Sequence, residues 1–256
     1  MTNPIAADLL VFGPHPDDIE LGLGATIAKH VDEGYRVALV DLTAAELSSN
    51  GSPEQRHREA AEAARVLGVM SRENLGWADG GIATTPTLVQ SAVQTIRRHR
   101  PRVIAIPHWN DRHPDHVAAS EVLTVAAFRS GLRRLITDSD AWRPDWVCYY
   151  FINGTAEPSF VIDASAHYER KWAALACYRS QFESPAGDAS DDRVPTRLTA
   201  PVFRTLIESR DAQFGARASV AFAEGVVVRE PIVRGTLFKE SRGPVLIERS
   251  ESKGPA

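Results

Sequence analysis

Cysteine is almost missing from this chain. Among 256 residues there are two, Cys148 and Cys177, each in an apolar stretch. That excludes a disulfide framework and reads as buried free thiols in a reducing compartment. Long apolar runs are missing too: nothing approaches the ~18 consecutive apolar residues of a membrane span. The opening residues Met1-Thr2-Asn3-Pro4 lack the basic-then-apolar layout of a secretory signal. A cytoplasmic protein that does not enter membranes is the expectation. Positive charge is in slight deficit, with 29 Lys and Arg against 33 Asp and Glu and a net charge of −4. No basic field remains to attract nucleic acid.

What is present is an ordinary globular composition, 43% hydrophobic and 24% charged, without internal repeats. The length suits one large domain. We expect that domain over residues 1–247, followed by a disordered tail at 248–256. Short apolar runs alternate with helical patterns. Leu9 to Phe12, Arg36 to Leu42 and Val103 to Ile106 read as strands. Gly22 to Glu33 reads as a helix closed by Gly34. Ser52-Pro53 and Thr85-Pro86 open two further helices, which stop at Gly68 and Pro101, and Pro114 opens a fourth, to about Gly131. After Asp140 the pattern predicts strands over Trp146 to Ile152 and Ser159 to Ile162, and a helix over Ala164 to Gln181. A polar loop over Glu183 to Thr199, with the character of a lid, precedes a helix over Pro201 to Phe214 and a short strand over Val226 to Val228. The alternation implies βαβ units in a Rossmann-like α/β fold with a mostly parallel sheet and flanking helices. In such sheets ligands bind at the carboxyl ends of the strands.

Two clusters fall at such ends. His15-Pro16-Asp17-Asp18 follows the first strand, and His113-Pro114-Asp115-His116 follows Val103 to Ile106. Pro-Asp at a helix start is favourable without any function, because Pro suits the first turn and Asp the dipole. Two His-Pro-Asp clusters, each after a buried strand, are harder to explain that way. Together they offer enough imidazoles and carboxylates for a metal with three protein ligands and an open position, plus an acid/base pair. His15 and Asp18 can supply a compact pair of ligands and His116 the distant third, which leaves Asp17 free beside the metal. A metal lowers the pKa of bound water from ~15.7 to about 7, within reach of a carboxylate base. Asp115 can fix an imidazole tautomer, and a protonated His113 can stabilise an oxyanion. The ligand set suits Zn2+, and Fe2+ would also fit His and Asp.

At these residues the sequence resembles the PIG-L/LmbE-like zinc-dependent de-N-acetylases. The resemblance implies zinc on His15, Asp18 and His116, Asp17 as general base, His113 as electrostatic or acid catalyst, and Asp115 as the residue that orients a histidine. It extends to Gly51-Ser52-Pro53-Glu54-Gln55-Arg56, Asp111-Arg112-His113, Pro158 to Asp163 and Ala223-Glu224-Gly225, where the chain looks like the bacillithiol-biosynthesis branch. That branch removes acetate from N-acetylglucosaminyl-malate, and some of its members are hexamers, so a homo-oligomer is implied. By the same resemblance Arg56 contacts substrate, and its planar donor fork suits a carboxylate. On helix geometry alone Arg56 would pair with Glu59 or Glu62.

The expected activity is hydrolysis of the acetamide of a small amino-sugar conjugate. The competing substrates are an inositol conjugate, an antibiotic intermediate and a chitin oligosaccharide. A metal-dependent phosphoesterase is the competing chemistry, and it would more often need two metals about 4 Å apart. A sugar-binding protein without activity is the third reading, and a free carboxylate beside the metal argues against it.

Overall fold

The computed structural model describes residues 6–185 and 192–232. The expected tail at 248–256 lies outside the described residues, as does the centre of the expected loop at 183–199. Seven strands form one sheet: β1 (Leu9–Gly13), β2 (Val37–Thr43), β3 (Ser71–Trp77), β4 (Val103–Pro107), β5 (Trp146–Tyr150), β6 (Phe160–Asp163) and β7 (Ala223–Val227). The helices are α1 (Asp18–Asp32), α2 (Pro53–Leu67), α3 (Pro86–His99), α4 (Pro114–Ser130), α5 (Tyr168–Leu175), α6 (Arg179–Phe182) and α7 (Pro201–Arg217).

The strand order is β3-β2-β1-β4-β5-β7-β6. The first five strands in that order are parallel, and β7 runs antiparallel to both β5 and β6. The expected mostly parallel α/β sheet is therefore present. After β1 the chain winds outward to β2 and β3, then returns to place β4 on the other side of β1. The crevice beyond the carboxyl ends of β1 and β4 is thus the point where the winding reverses.

Both faces of the sheet are covered, which is why its strands read as continuous apolar runs. Leu10 and Phe12 of β1 join α3 and α4 residues such as Val93, Ile96, Val122 and Leu123 in one core. Leu9 and Val11 face the other way and pack with Ile19, Ile27, Ala63, Leu67 and Ile207. Ser52 and Thr85 cap α2 and α3 by accepting from Gln55 N and Leu88 N, each with Pro in the first turn. Those starts are where the sequence places them.

Three elements differ from expectation. Helix α1 begins at Asp18, not Gly22. Gly22 serves close packing instead: a Cβ there would lie 2.2 Å from the Tyr150 ring. The helix also breaks at Leu23 (φ −136°, ψ 15°), and the freed amides of Ala25 and Thr26 donate to the Glu224 carboxylate. Strand β3 was not expected, because its residues are polar and half-buried; Arg72 and Glu73 are consumed in ion pairs with Asp41, Glu20, Arg98 and His99. The expected helix over 164–181 is divided into a single 3-10 turn (Ser165–His167), α5 and α6. Cys148 is buried and free as expected, whereas Cys177 is only half-buried.

Candidate metal centre

The site is built where β1 gives way to α1. The turn Pro14-His15-Pro16-Asp17 leaves the sheet edge, and Asp17 closes it in the left-handed region at φ 111°. A non-glycine residue there costs on the order of 1–3 kcal/mol and persists only where its surroundings hold it. The strain leaves Asp17 at the N-cap of α1 and Asp18 in the first helical turn, both 4% exposed. The His15 amide then donates to Asp18 Oδ2 at 2.9 Å. From the other side of the crevice, His113 caps α4 and His116 lies within its first turn.

The two clusters meet as expected. His15 Nδ1 lies 3.1 Å and His116 Nε2 3.2 Å from the same atom, Asp18 Oδ2. One ligand atom from each of His15, Asp18 and His116 falls within 4.8 Å of the others, and all three residues are buried. Three donors converging on one point without enclosing it are what a three-ligand N/O site with an open position requires. His15, His113 and Asp115 satisfy the same distance limit, but His113 is exposed, so that set is less enclosed. The two nitrogens of His15 face different ways: Nδ1 faces Asp18, while Nε2 faces Asp79 at 3.0 Å and Asp115 at 3.4 Å.

Residues behind the ligands orient them. His116 Nδ1 lies 3.1 Å from Asp111 Oδ1. Asp111 is fixed in turn by the amides of His113 and Asn153 and by the Asn153 side chain. Asp115 sits beside His15 and accepts from Gly80 N, and its own amide donates to His113 Nδ1 at 3.2 Å. That bond makes Nδ1 of His113 an acceptor and leaves the neutral ring's proton on Nε2.

The electrostatics separate the two adjacent carboxylates. Burial, reinforced by the Asp18 and Glu20 charges, raises Asp17 to about 7 although Arg56 pulls the other way. Burial acts on Asp18 as well, but His116 and His15 outweigh it and hold that carboxyl far below its ordinary range. His116 is pushed up to about 9 despite burial, by Asp18 and Asp111. His113 is lowered by burial and by the two neighbouring imidazoles. One carboxylate is thus kept as an anion for cations, and its neighbour is poised to exchange a proton near neutrality.

A cavity of about 430 Å³ opens over these groups. Arg56 lies in its wall, 2% exposed, with its guanidinium on the Pro16 carbonyl and 3.2 Å from Asp17 Oδ2. Arg112, Leu198 and Phe203 also line the cavity. Asp79 and Asn153 are wall residues that sequence reasoning missed, and Asp79 is the one in contact with a candidate ligand. Its signal was faint, an Asp-Gly-Gly turn closing an unrecognised strand.

The PIG-L family (GlcNAc-PI de-N-acetylase) matches the chain over residues 10–127. Diacetylchitobiose deacetylase of Thermococcus kodakarensis is 28% identical over 233 residues, covering 85% of this chain and 81% of that protein. A 1D-myo-inositol 2-acetamido-2-deoxy-alpha-D-glucopyranoside deacetylase of Saccharopolyspora erythraea is 30% identical over 230 residues, covering 68% of this chain and 83% of its own length. Among solved structures, the conserved protein TT1542 of Thermus thermophilus superposes with a TM-score of 0.82 at 37% identity, over 93% of this chain and 100% of that one.

Proposed function

Because the chain belongs to the PIG-L family of de-N-acetylases, we propose that it hydrolyses the acetamide of an N-acetylglucosamine conjugate whose other part is anionic. N-acetylglucosaminyl-malate of bacillithiol biosynthesis is the leading substrate. The observation that carries the chemistry is Asp17, a buried carboxylate raised to about 7 beside three convergent ligands yet not one of them. Relatives that act on diacetylchitobiose and on an inositol-linked acetamido sugar support the amino-sugar half of the reading. The acid half is supported by two arginines. Arg112 lines the cavity, and Arg197 lies over the buried lining residue Phe203 at 5.6 Å. Neither guanidinium has an ion-pair partner among the described residues. Arg197 is lowered by desolvation and by the Arg112 charge, against the opposing pull of Asp111, so the two cations are near enough to repel. A carboxylate between them would relieve that repulsion.

His15, Asp18 and His116 would hold a divalent cation, Zn2+ or Fe2+. When bound it supplies Lewis-acid polarisation of the amide and acidifies water. Asp17 takes the proton from the attacking water as its oxygen adds to the acetyl carbon. His113 Nε2–H donates to the oxygen on which charge develops. Arg56 holds the Asp17 carboxylate in place and carries a buried Nε–H with no partner among the described residues. Protonated Asp17 then returns its proton to the departing nitrogen, the C–N bond breaks, and acetate and a free amine leave. A cytoplasmic homo-oligomer, six copies by resemblance, belongs to the same reading and is checked by sedimentation.

The test is acetate release from N-acetylglucosaminyl-malate, N-acetylglucosamine and diacetylchitobiose. Asp17→Asn should lower turnover on the order of 10²–10⁴-fold with zinc still bound. Arg197→Ala and Arg112→Ala should each raise KM about tenfold for the malate conjugate and leave the neutral sugars unchanged. Equal effects on both substrate types would remove the acidic aglycone and keep the deacetylase. Phosphoester cleavage with two tightly bound ions per chain, and no amide hydrolysis, would overturn the deacetylase.

A further inference from the structure

We propose that Asp79 is the positioning residue for the metal ligand His15, and that it holds His15 only while the turn at 45–48 is in place. The inference rests on the reading that His15, Asp18 and His116 carry the metal. Asp79 stands in the loop after β3, its side chain 8% exposed, and both of its oxygens are used. Oδ1 lies 3.0 Å from His15 Nε2, the nitrogen turned away from Asp18. Oδ2 accepts from the Leu47 amide at 3.0 Å. The Asp79 amide in turn donates to Glu46 Oε1 at 2.7 Å. The two loops thus grip one another by reciprocal bonds, with His15 at the end of the grip.

The turn is itself tied back to the ligand. Ala45 adopts φ 54°, and both the amide and the hydroxyl of Ser48 donate to its carbonyl. The Ala45 amide donates to Thr43 Oγ1, and that hydroxyl donates to the Pro14 carbonyl, one residue before His15. A closed circuit therefore runs from Pro14 by hydrogen bonds to Thr43 and Ala45, along the backbone of the turn to Leu47, and by hydrogen bonds again through Asp79 to His15. Asp115 is the rival at the same ring nitrogen, but it is farther, at 3.4 Å, and the oxygen facing His15 already accepts from Gly80 N. A ring nitrogen carries one proton, and Asp79 is the nearer acceptor. A ligating imidazole whose other N–H is held by a carboxylate keeps its tautomer and orientation, and loss of such a partner lowers metal affinity about 10–100-fold. Leu47, exposed at the cavity rim, rides on the same turn, so the segment that borders the substrate space also secures the metal.

The chemistry of the substitution makes the test sharp. Two N–H donors face separate oxygens of Asp79, and an amide keeps only one oxygen, so in the same side-chain position Asp79→Asn presents an acceptor to one donor and an NH2 to the other. Zinc affinity of the metal-stripped protein is measured by competition with a chromophoric chelator, alongside thermal melting to confirm folding. Asp79→Asn should weaken zinc about 10–100-fold, and acetate release should recover at saturating zinc. Glu46→Ala, which touches neither His15 nor the metal, should weaken zinc several-fold. Asp115→Asn should weaken it less than Asp79→Asn. Unchanged zinc affinity in Asp79→Asn, with only KM raised, would make Asp79 a substrate contact and overturn the proposal. Weakening in Asp79→Asn with none in Glu46→Ala would overturn the dependence on the turn. If Asp18→Ala binds zinc as the parent does, the ligand set itself is wrong, whatever Asp79→Asn does.

Discussion

Two clusters of buried charge lie against helix α1, and they behave in opposite ways. At its start are His15, Asp17, Asp18 and His116. At its break, near Leu23, are Lys171, Asp211, Glu224 and Arg210. In the second cluster every charge is matched. Lys171 Nζ lies 2.7 Å from Asp211 and 2.8 Å from Glu224, with all three side chains 0% exposed. Arg210 donates to Asp211 and to the carbonyls of Leu21, Phe151 and Ile152. Tyr168 OH donates to Asp211, and Glu224 receives the two amides that the helix break releases. Two cations thus meet two anions. In the first cluster two carboxylates are adjacent, one is driven toward neutrality, a backbone dihedral is strained, and the group opens onto a cavity. Both are buried groupings of acids with bases. The difference is that one cluster is closed on itself and the other is left open for something to be added. Buried charge by itself does not mark a functional site; buried charge left incomplete does.

That contrast can be broken by substitution. Asp18→Ala should abolish zinc binding and lower acetate release on the order of 10³-fold or more, because several kcal/mol of Lewis-acid stabilisation leaves with the metal. The metal-free variant should melt only slightly below the metal-free parent, since the loss of the Asp18 contacts to His15 and His116 is partly offset by relief of the crowding with Asp17. A large loss of melting temperature would mean that this cluster, too, is structural. Lys171→Met should do the reverse. It leaves Glu224 without a cation and Asp211 with Arg210 alone, and should cost about 3–5 kcal/mol in urea unfolding, while the folded fraction keeps its zinc stoichiometry and kcat. A loss of zinc in folded Lys171→Met would join the clusters into one unit.

The smallest effect is on acid stability. Burial raises Asp211, but Arg210 and Lys171 outweigh it and leave the carboxyl below its usual 3.8. A depressed folded pKa gives stability that is complete above the unfolded value and is lost as pH falls through the folded one. Chemical unfolding at pH values from about 5 to about 2 should therefore show a decline beginning near pH ~4, and Asp211→Asn should flatten it. An unchanged acid limb would mean that Asp211 contributes nothing to it.

The parts of the molecule readable from sequence are those whose signals are local. Ser52-Pro53 and Thr85-Pro86 announce their helices because cap and first-turn chemistry lies within four residues. The buried strands announce themselves because parallel strands covered on both faces admit few polar residues. The two His-Pro-Asp clusters were legible for the same reason, each following such a strand. What stayed hidden depends on distant partners. Arg72 and Glu73 disguise β3, since the groups that neutralise them come from β2, α1 and α3. Asp79 reaches His15 across sixty-four positions, and no spacing rule connects them. The early start of α1 depends on a left-handed Asp17, a conformation that leaves no mark in composition.

The parallel pairing of β1 with β4 carries a consequence for how the molecule folds. Leu9, Leu10 and Val11 pair directly with Val103, Ile104 and Ala105, although β2, α2, β3 and α3 all intervene in the chain. Closing a loop of that size is an entropic cost met before the contact rewards it, and contacts of long sequence separation slow folding. His15 and Asp18 therefore have no His116 beside them until the central strands have joined. A metal ion that prefers the complete set binds the native state and not the unfolded chain, so it should slow unfolding and leave the refolding rate largely unaltered. Stopped-flow refolding with and without zinc would read the order of assembly directly, with the metal acting as a reporter of when the two halves of the sheet meet.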